Sequence, residues 1–208
     1  MMRRVRATLA ADGPSDRVLI HPIRWLIGEV LNPAPVELDL AFASVTATPL
    51  HSRIDAALRE YPCDVLLVHR DAEGQRPDRS RREIHEALRR VSPAHSTVHV
   101  VPVRMTEAWL LADQRAIRLA AGNPDGRERL TLPPLRRLES AADPKAILRE
   151  ALVTASALRG RKLQRFRRDM GQRVLRVAEL IEDYASLRAL SAFTKLESDL
   201  RRALAEIG

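Results

Sequence analysis

The run CDVLLVH, Cys63 to His69, constrains this chain more than any other stretch. Its four consecutive apolar residues, Val65 to Val68, follow Pro62 and stop at the charged segment RDAE. A strand alternates its side chains between two faces, so a run that is apolar at every position needs cover on both. That condition is met in a parallel sheet with helices packed on either side, and the neighbouring segments supply both.

Val5 to Ala10 reads as a short strand closed by the turn sequence ADGPSD. Ser15 is a good N-cap for a helix whose apolar positions recur at Leu19, Ile23, Leu26, Ile27 and Val30, with Pro22 inside it. In PAPVELDLAFAS, apolar Val36, Leu38, Leu40 and Phe42 alternate with Glu37, Asp39 and Ala41, the pattern of an edge strand with one polar face. Ile54, Ala57, Leu58 and Tyr61 form a helical stripe ahead of Pro62, and RSRREIHEALRRVS forms another through Ile84, Leu88 and Val91. A strand at STVHVVPV and a long helix from Thr106 to Ala121 complete the alternation. The expected fold is α/β, with a mostly parallel central sheet and helices on both faces.

Beyond Gly122 the chain becomes rich in Pro, Gly and charge, then turns helical over about 144–158, 172–185 and 187–207. The expected division is an α/β core over 1–125 and a helical C-terminal extension over 126–208, packed on that core. The final helix carries Phe193, Leu196, Leu200, Ala203 and Ile207 as a narrow stripe, suited to packing on the core or on a second copy in a homodimer.

Ligands of open α/β sheets bind beyond the carboxyl ends of the strands. Three predicted strands lead to acids there: the first to Asp12, the central one to Asp71 and Glu73, and the last to Glu107. Residues two apart in an extended chain point the same way, so Asp71 and Glu73 are placed to share one hard cation such as magnesium. Acids after strands also serve as turn formers and helix caps, and Asp12 with Gly13 is a stock turn pair. His69 ends the central strand, and His95 and His99 flank another, and none of the three receives a role. Trp109 reads as core.

The order of LAADGPSDRVLIHPI, VLLVHRDAEGQ, VVPVRMTEAWLLAD and ESAADPKAIL resembles the DUF4276 family, whose members are related to Toprim domains. The resemblance covers Thr8 to Leu148 and is carried mainly by TEAWLLAD and DPK. It implies a Toprim-like core with an acid after the first strand that handles protons and a D-x-D pair after the third that holds magnesium. Those positions fall on Asp12, Asp71 and Glu73, and the same motifs add Glu107 to the acidic cluster. Asp12 is one methylene shorter than the family's glutamate, and Glu73 one longer than its aspartate. The resemblance also implies a partner ATPase in a bacterial defence or repair system.

With 208 residues and 45% hydrophobic content, the chain suffices for one sizeable core. Its net charge is +8 and its pI near 10.8, a balance that favours an acidic partner, although all but three of the 35 basic residues are arginine, as GC-rich coding also produces. Arg70, Arg76 and Arg79 surround the acids. Arg161, Lys162, Arg165, Arg167 and Arg168 cluster around Phe166, the strongest candidate contact to DNA or RNA. Lys145 follows Asp143 and Pro144, which together read as a helix cap with proline at its first position.

Cys63 stands alone, which excludes an intramolecular disulfide framework and fits a cytoplasmic protein. The N-terminal apolar run is too short for a signal peptide, and no stretch is long enough to span a membrane. Nothing matches a phosphate-binding Walker loop or a dinucleotide fingerprint.

These features lead to two expectations. One is a Mg2+-dependent nuclease, or related phosphotransfer protein, with Mn2+ as an alternative ion, Asp71, Glu73 and Glu107 on the metal and Asp12 handling protons. The other is a Toprim-like module that binds nucleic acid without turnover beside an ATPase.

Overall fold

A computed structural model describes residues 3–71, 77–103 and 105–207. In chain order its elements are β1 (Arg3–Ala10), α1 (Ile20–Leu31), β2 (Val36–Ala43), α2 (Leu50–Glu60), β3 (Val65–His69), α3 (Pro77–Val91), β4 (Ser96–Val100), α4 (Glu107–Leu110), α5 (Gln114–Ala120), α6 (Pro144–Ser156), α7 (Gly160–Arg168), α8 (Met170–Leu180) and α9 (Ser191–Glu206). Short 3-10 turns lie at Pro14–Leu19, Leu135–Ser140 and Ala185–Ala189. Among the described residues no helix is long and apolar enough to cross a membrane.

The four strands form one sheet in the order β2-β1-β3-β4, and every pairing is parallel. As its unbroken apolar run requires, β3 is internal and all five of its residues are buried. The strand with the polar alternation, β2, lies at an edge. The fold is therefore α/β with a parallel central sheet, and the C-terminal region is helical, as its periodicity indicates.

The strand order carries the functional consequence. From β1 the chain crosses outward to β2, whereas from β3 it crosses the other way to β4. With right-handed crossovers this reversal puts α1 on one face and both α2 and α3 on the other. Accordingly α2 packs against α3, and Ile54, Ala57, Ile84 and Leu88 share a core with Leu66 and Val68. The carboxyl ends of β1 and β3 are left as neighbours at the topological switch point.

The chain contacts divide the molecule into two compact units: 1–103 with 191–208, and 104–190. The sheet belongs to the first unit, where α9 returns to pack beside β4 and α1. The second unit holds α4 to α8, with α8 against α5 and α6. Sequence texture places a break near 125, but the division falls at 103, and α9 does not group with the helices before it.

Three elements differ from their sequence signals. The helix expected to start at Ser15 opens as a 3-10 turn, because Asp16 bonds back to Gly13. The expected helix 106–121 is broken between α4 and α5, where the Asp113 side chain accepts the Ala116 N–H at 2.9 Å and starts a new helix. The basic run 160–168, which has no apolar stripe beyond Leu163 and Phe166, forms the ordered helix α7. Asp143 does cap α6, accepting from Ala146 N–H at 2.8 Å with Pro144 at the first position, and Trp109 is core at 1% exposure.

Candidate metal centre and arginine network

The site is assembled where β1 and β3 end. Ala10 pairs with Val68 at the top of the two strands, so the segments that follow, Ala11–Asp16 and Arg70–Asp71, emerge side by side. The first folds into a tight reciprocal turn: Gly13 N–H donates to Asp16 Oδ2 at 2.9 Å, and Asp16 N–H donates to Gly13 O at 3.1 Å. This holds the Asp16 side chain inward at 7% residue exposure. Its second oxygen, Oδ1, lies 3.8 Å from His69 Nε2.

His69 is the last residue of β3 and is fully buried. Its Nδ1 is 2.9 Å from Val100 O, so Nδ1 carries the proton and Nε2 is left facing the two carboxylates. Asp71 Oδ1 is 3.4 Å from that nitrogen. Asp71 stands two residues beyond His69, and residues two apart in an extended chain share a side, so its carboxylate meets the ring; the spacing that pairs Asp71 with Glu73 in the sequence also pairs it with His69. Burial pushes the His69 pKa down, but the adjacent Asp71 and Asp16 carboxylates outweigh it and the net direction is up.

Asp16, His69 and Asp71 each offer one ligand atom, and these atoms lie within 4.8 Å of one another. Two of them, His69 Nε2 and Asp71 Oδ1, are buried with no well-formed hydrogen bond, facing each other at 3.4 Å. Buried polar atoms left poorly bonded are costly, and a shared cation would satisfy both at once. Ligands about 2.1 Å from an ion stand at most about 4.2 Å apart, and both contacts to Nε2 already fall inside that span. The group could thus hold a metal ion.

Asp12, expected in the same acidic cluster as Asp71, is engaged by arginine. Arg70 Nη1 donates to both its oxygens at 3.2 Å, and Arg53 Nη1 makes a short contact to Oδ1. Arg53 is 9% exposed and also donates from Nε to Ala47 O at 3.3 Å. Arg70 reaches Glu83 of α3 through Nε at 3.1 Å, and Glu83 accepts from Arg79 Nε at 3.2 Å. Two of the expected nucleic-acid contacts, Arg70 and Arg79, are therefore joined through Glu83, a residue with no signal in the sequence beyond its helical spacing from Arg79.

The remaining expected residues are distributed elsewhere. Glu73 and Arg76 lie outside the described residues. Glu107 opens α4 in the second unit, where its Oε1 is 3.9 Å from Lys145 Nζ of α6. Arg161, Lys162, Arg165, Arg167 and Arg168 are on α7 in that unit, all but one side of the helix being exposed. Asp16 and His69 were not singled out as ligands by sequence. The usable signal was Gly13 followed three residues later by an acid, a capping spacing that turns the carboxylate back toward the strand end.

No family model matches this chain, and neither does any curated protein or solved structure.

Proposed function

We propose that this protein is a metal-dependent phosphodiesterase acting on nucleic acid, with Asp16, His69 and Asp71 as the metal-binding residues. The observation that carries this reading is the convergence of His69 Nε2, Asp71 Oδ1 and Asp16 within 4.8 Å, the first two buried with no well-formed hydrogen bond, at the switch point of a parallel sheet. A divalent cation bound there would polarise a phosphoryl oxygen and offset its charge. The imidazole in the donor set suits Mn2+ better than Mg2+, which prefers oxygen ligands alone. Arg70, beside the cluster, would orient a phosphate with its planar guanidinium, the geometry that favours bidentate contact to phosphate. Of the acids that the Toprim resemblance implies, Asp71 belongs to this cluster, and Asp16 rather than Asp12 accompanies it.

The test is incubation of the purified protein with single- and double-stranded DNA and RNA in Mn2+ or Mg2+. Cleavage is expected with Mn2+, abolished by EDTA and reduced at least about a hundredfold in Asp71→Asn and His69→Ala, since these residues supply the metal's ligands. Absence of cleavage that depends on Asp71 and His69 would remove the reading.

A second reading is favoured by the arginines on Asp12. A carboxylate occupied by two guanidinium groups is not open to a water or leaving group, which suits a module that binds nucleic acid without turnover, beside a partner ATPase. Salt-sensitive binding with no product in any metal, with or without such a partner, is its expected signature.

A further inference from the structure

Helix α7, Gly160–Arg168, is built unlike any other in the molecule. It contains five cationic side chains and no carboxylate, and its only buried residue is Phe166. Like charges recur at helical neighbour spacings, Arg161 with Arg165, Lys162 with Arg165, and Arg165 with Arg168, each of which works against the helix. Among the described residues, no carboxylate pairs with any of these five side chains. The helix is held from beneath: Phe166 sits under the Arg173 guanidinium, 5.0 Å from ring centroid to Cζ, and Arg173 Nη1 donates to Ala120 O at 3.0 Å.

A cleft opens on each side of this ridge. One, of about 650 Å3, is lined by Arg149, Arg167 and Arg168 against the single acid Glu150. The other, of about 430 Å3, is lined by Arg161, Lys162, Arg165 and Arg173 against the single acid Asp169. The crest between them is polar. At about 100° per residue, Gln164 and Arg168 each stand about 160° around the helix from Phe166. Both are exposed.

We infer that α7 enters the major groove of double-stranded DNA, with the cations of its two flanking clefts gripping the phosphate backbones on either side. A helix about 10–12 Å across with its side chains fits a groove about 12 Å wide, which admits one helix. Cations on both flanks match two backbones, whereas one strand would need one cleft. Gln164 on the crest and Arg168, where the crest meets the first cleft, are the residue types that pair bidentately with adenine and guanine edges, which leaves Arg149 and Arg167 to grip the backbone on that side. The A-form major groove of duplex RNA is too deep and narrow for such entry. This surface lies wholly in the second unit and stands independently of the Asp16, His69 and Asp71 cluster.

The experiment is fluorescence anisotropy of the full chain in EDTA, with a labelled duplex DNA of about 20 base pairs, one of its strands alone, and the matching RNA duplex. Duplex DNA is expected to bind tightest, with a log–log salt slope near −0.9 for each phosphate neutralised. Arg165→Ala and Arg167→Ala, one in each cleft, should each weaken binding and reduce the slope by about 1, while the Lys variants retain it. Arg176→Ala on α8, whose side chain is paired with Glu179 at 2.8 Å, should leave affinity unchanged. Circular dichroism confirms that each variant is folded, and all the positions tested are exposed. Because the assay contains EDTA and reads binding, its result is separate from whether cleavage occurs. Equal or tighter binding of the single strand or the RNA duplex, a slope unmoved by Arg165→Ala and Arg167→Ala, or no binding at low salt would overturn the inference.

Discussion

Arg53 is the residue on which the arginine network depends. It is nearly buried, and Asp12 is the carboxylate that balances it. Removing one partner of a buried pair leaves the other uncompensated, which costs more than the intact pair contributes. Asp12→Ala should therefore destabilise the protein by about 2 kcal/mol in urea unfolding, below the fully buried case because Asp12 is 30% exposed. Arg53→Met on top of it should recover most of that loss, and equal loss in the single and double variants would assign the cost to the Asp12 backbone turn instead. The same scale separates legible from illegible. Asp12 and Asp71 were found because strand periodicity locates strand ends. The direction of Asp16 depends on a 3-10 turn, which hydrophobic spacing does not record, whereas the two-residue spacing of His69 from Asp71 already puts both on one side of an extended chain.

A second residue-level clamp lies at the start of β3, against the middle of β1. Arg6 of β1 donates from its main-chain N–H to Asp64 Oδ2 at 2.9 Å and from Nη2 to Oδ1 at 2.8 Å. The Arg6 hydrogen bonds hold the Asp64 carboxyl below its ordinary pKa, with burial opposing. A depressed folded-state pKa contributes stability above the unfolded value, about 4, and loses it as pH falls through the folded value. Asp64→Asn should consequently lower stability at pH 7 and flatten the acid limb of the stability curve below about pH 4. An acid limb with unchanged slope would show that other carboxylates dominate it.

At the scale of elements, caps and breaks decide what periodicity cannot. The segment 106–121 has a helical apolar pattern throughout, yet the Asp113 side chain starts a fresh helix within it. Local side-chain bonds to the backbone compete with continuation of a helix, so an Asp inside a periodic run is a potential boundary. Asp143 is the same device where the sequence announces it, since Pro144 follows at a position with no donor to lose. Asp143→Ala should cost about 1 kcal/mol, measured by denaturant unfolding, and Asp143→Asn or Ser much less. Helix α7 shows the converse: a sequence with little apolar patterning forms a helix because Phe166 and Arg173 anchor it, a tertiary contact that no local pattern encodes.

For the whole molecule, the first unit is closed by a helix that arrives after the second unit has been completed. The sheet could be read from alternating strands and helices because each crossover is local in sequence. The partnership of α9 was legible only as one of two options, the core or a second copy, since its apolar stripe fits either; it packs on β4 and α1 of the core, although the sequence division at 125 groups it with its chain neighbours. Phe193, Leu196 and Leu200 are buried in the first unit, and the Phe193 ring lies 6.3 Å from that of Trp25 on α1. Phe193→Ala should therefore remove about 3–5 kcal/mol. The loss should fall on 1–103 and 191–208, although the substitution is near the C-terminus. Native-state hydrogen exchange resolves this directly, because amides of cooperative units lose protection together. In the variant, amides of β1, β3 and α1 should exchange faster, while those of α6 and α8 keep their protection. Acceleration of all these amides by the same factor would mean that the two units unfold as one, and acceleration confined to α6 and α8 would place α9 with the second unit after all.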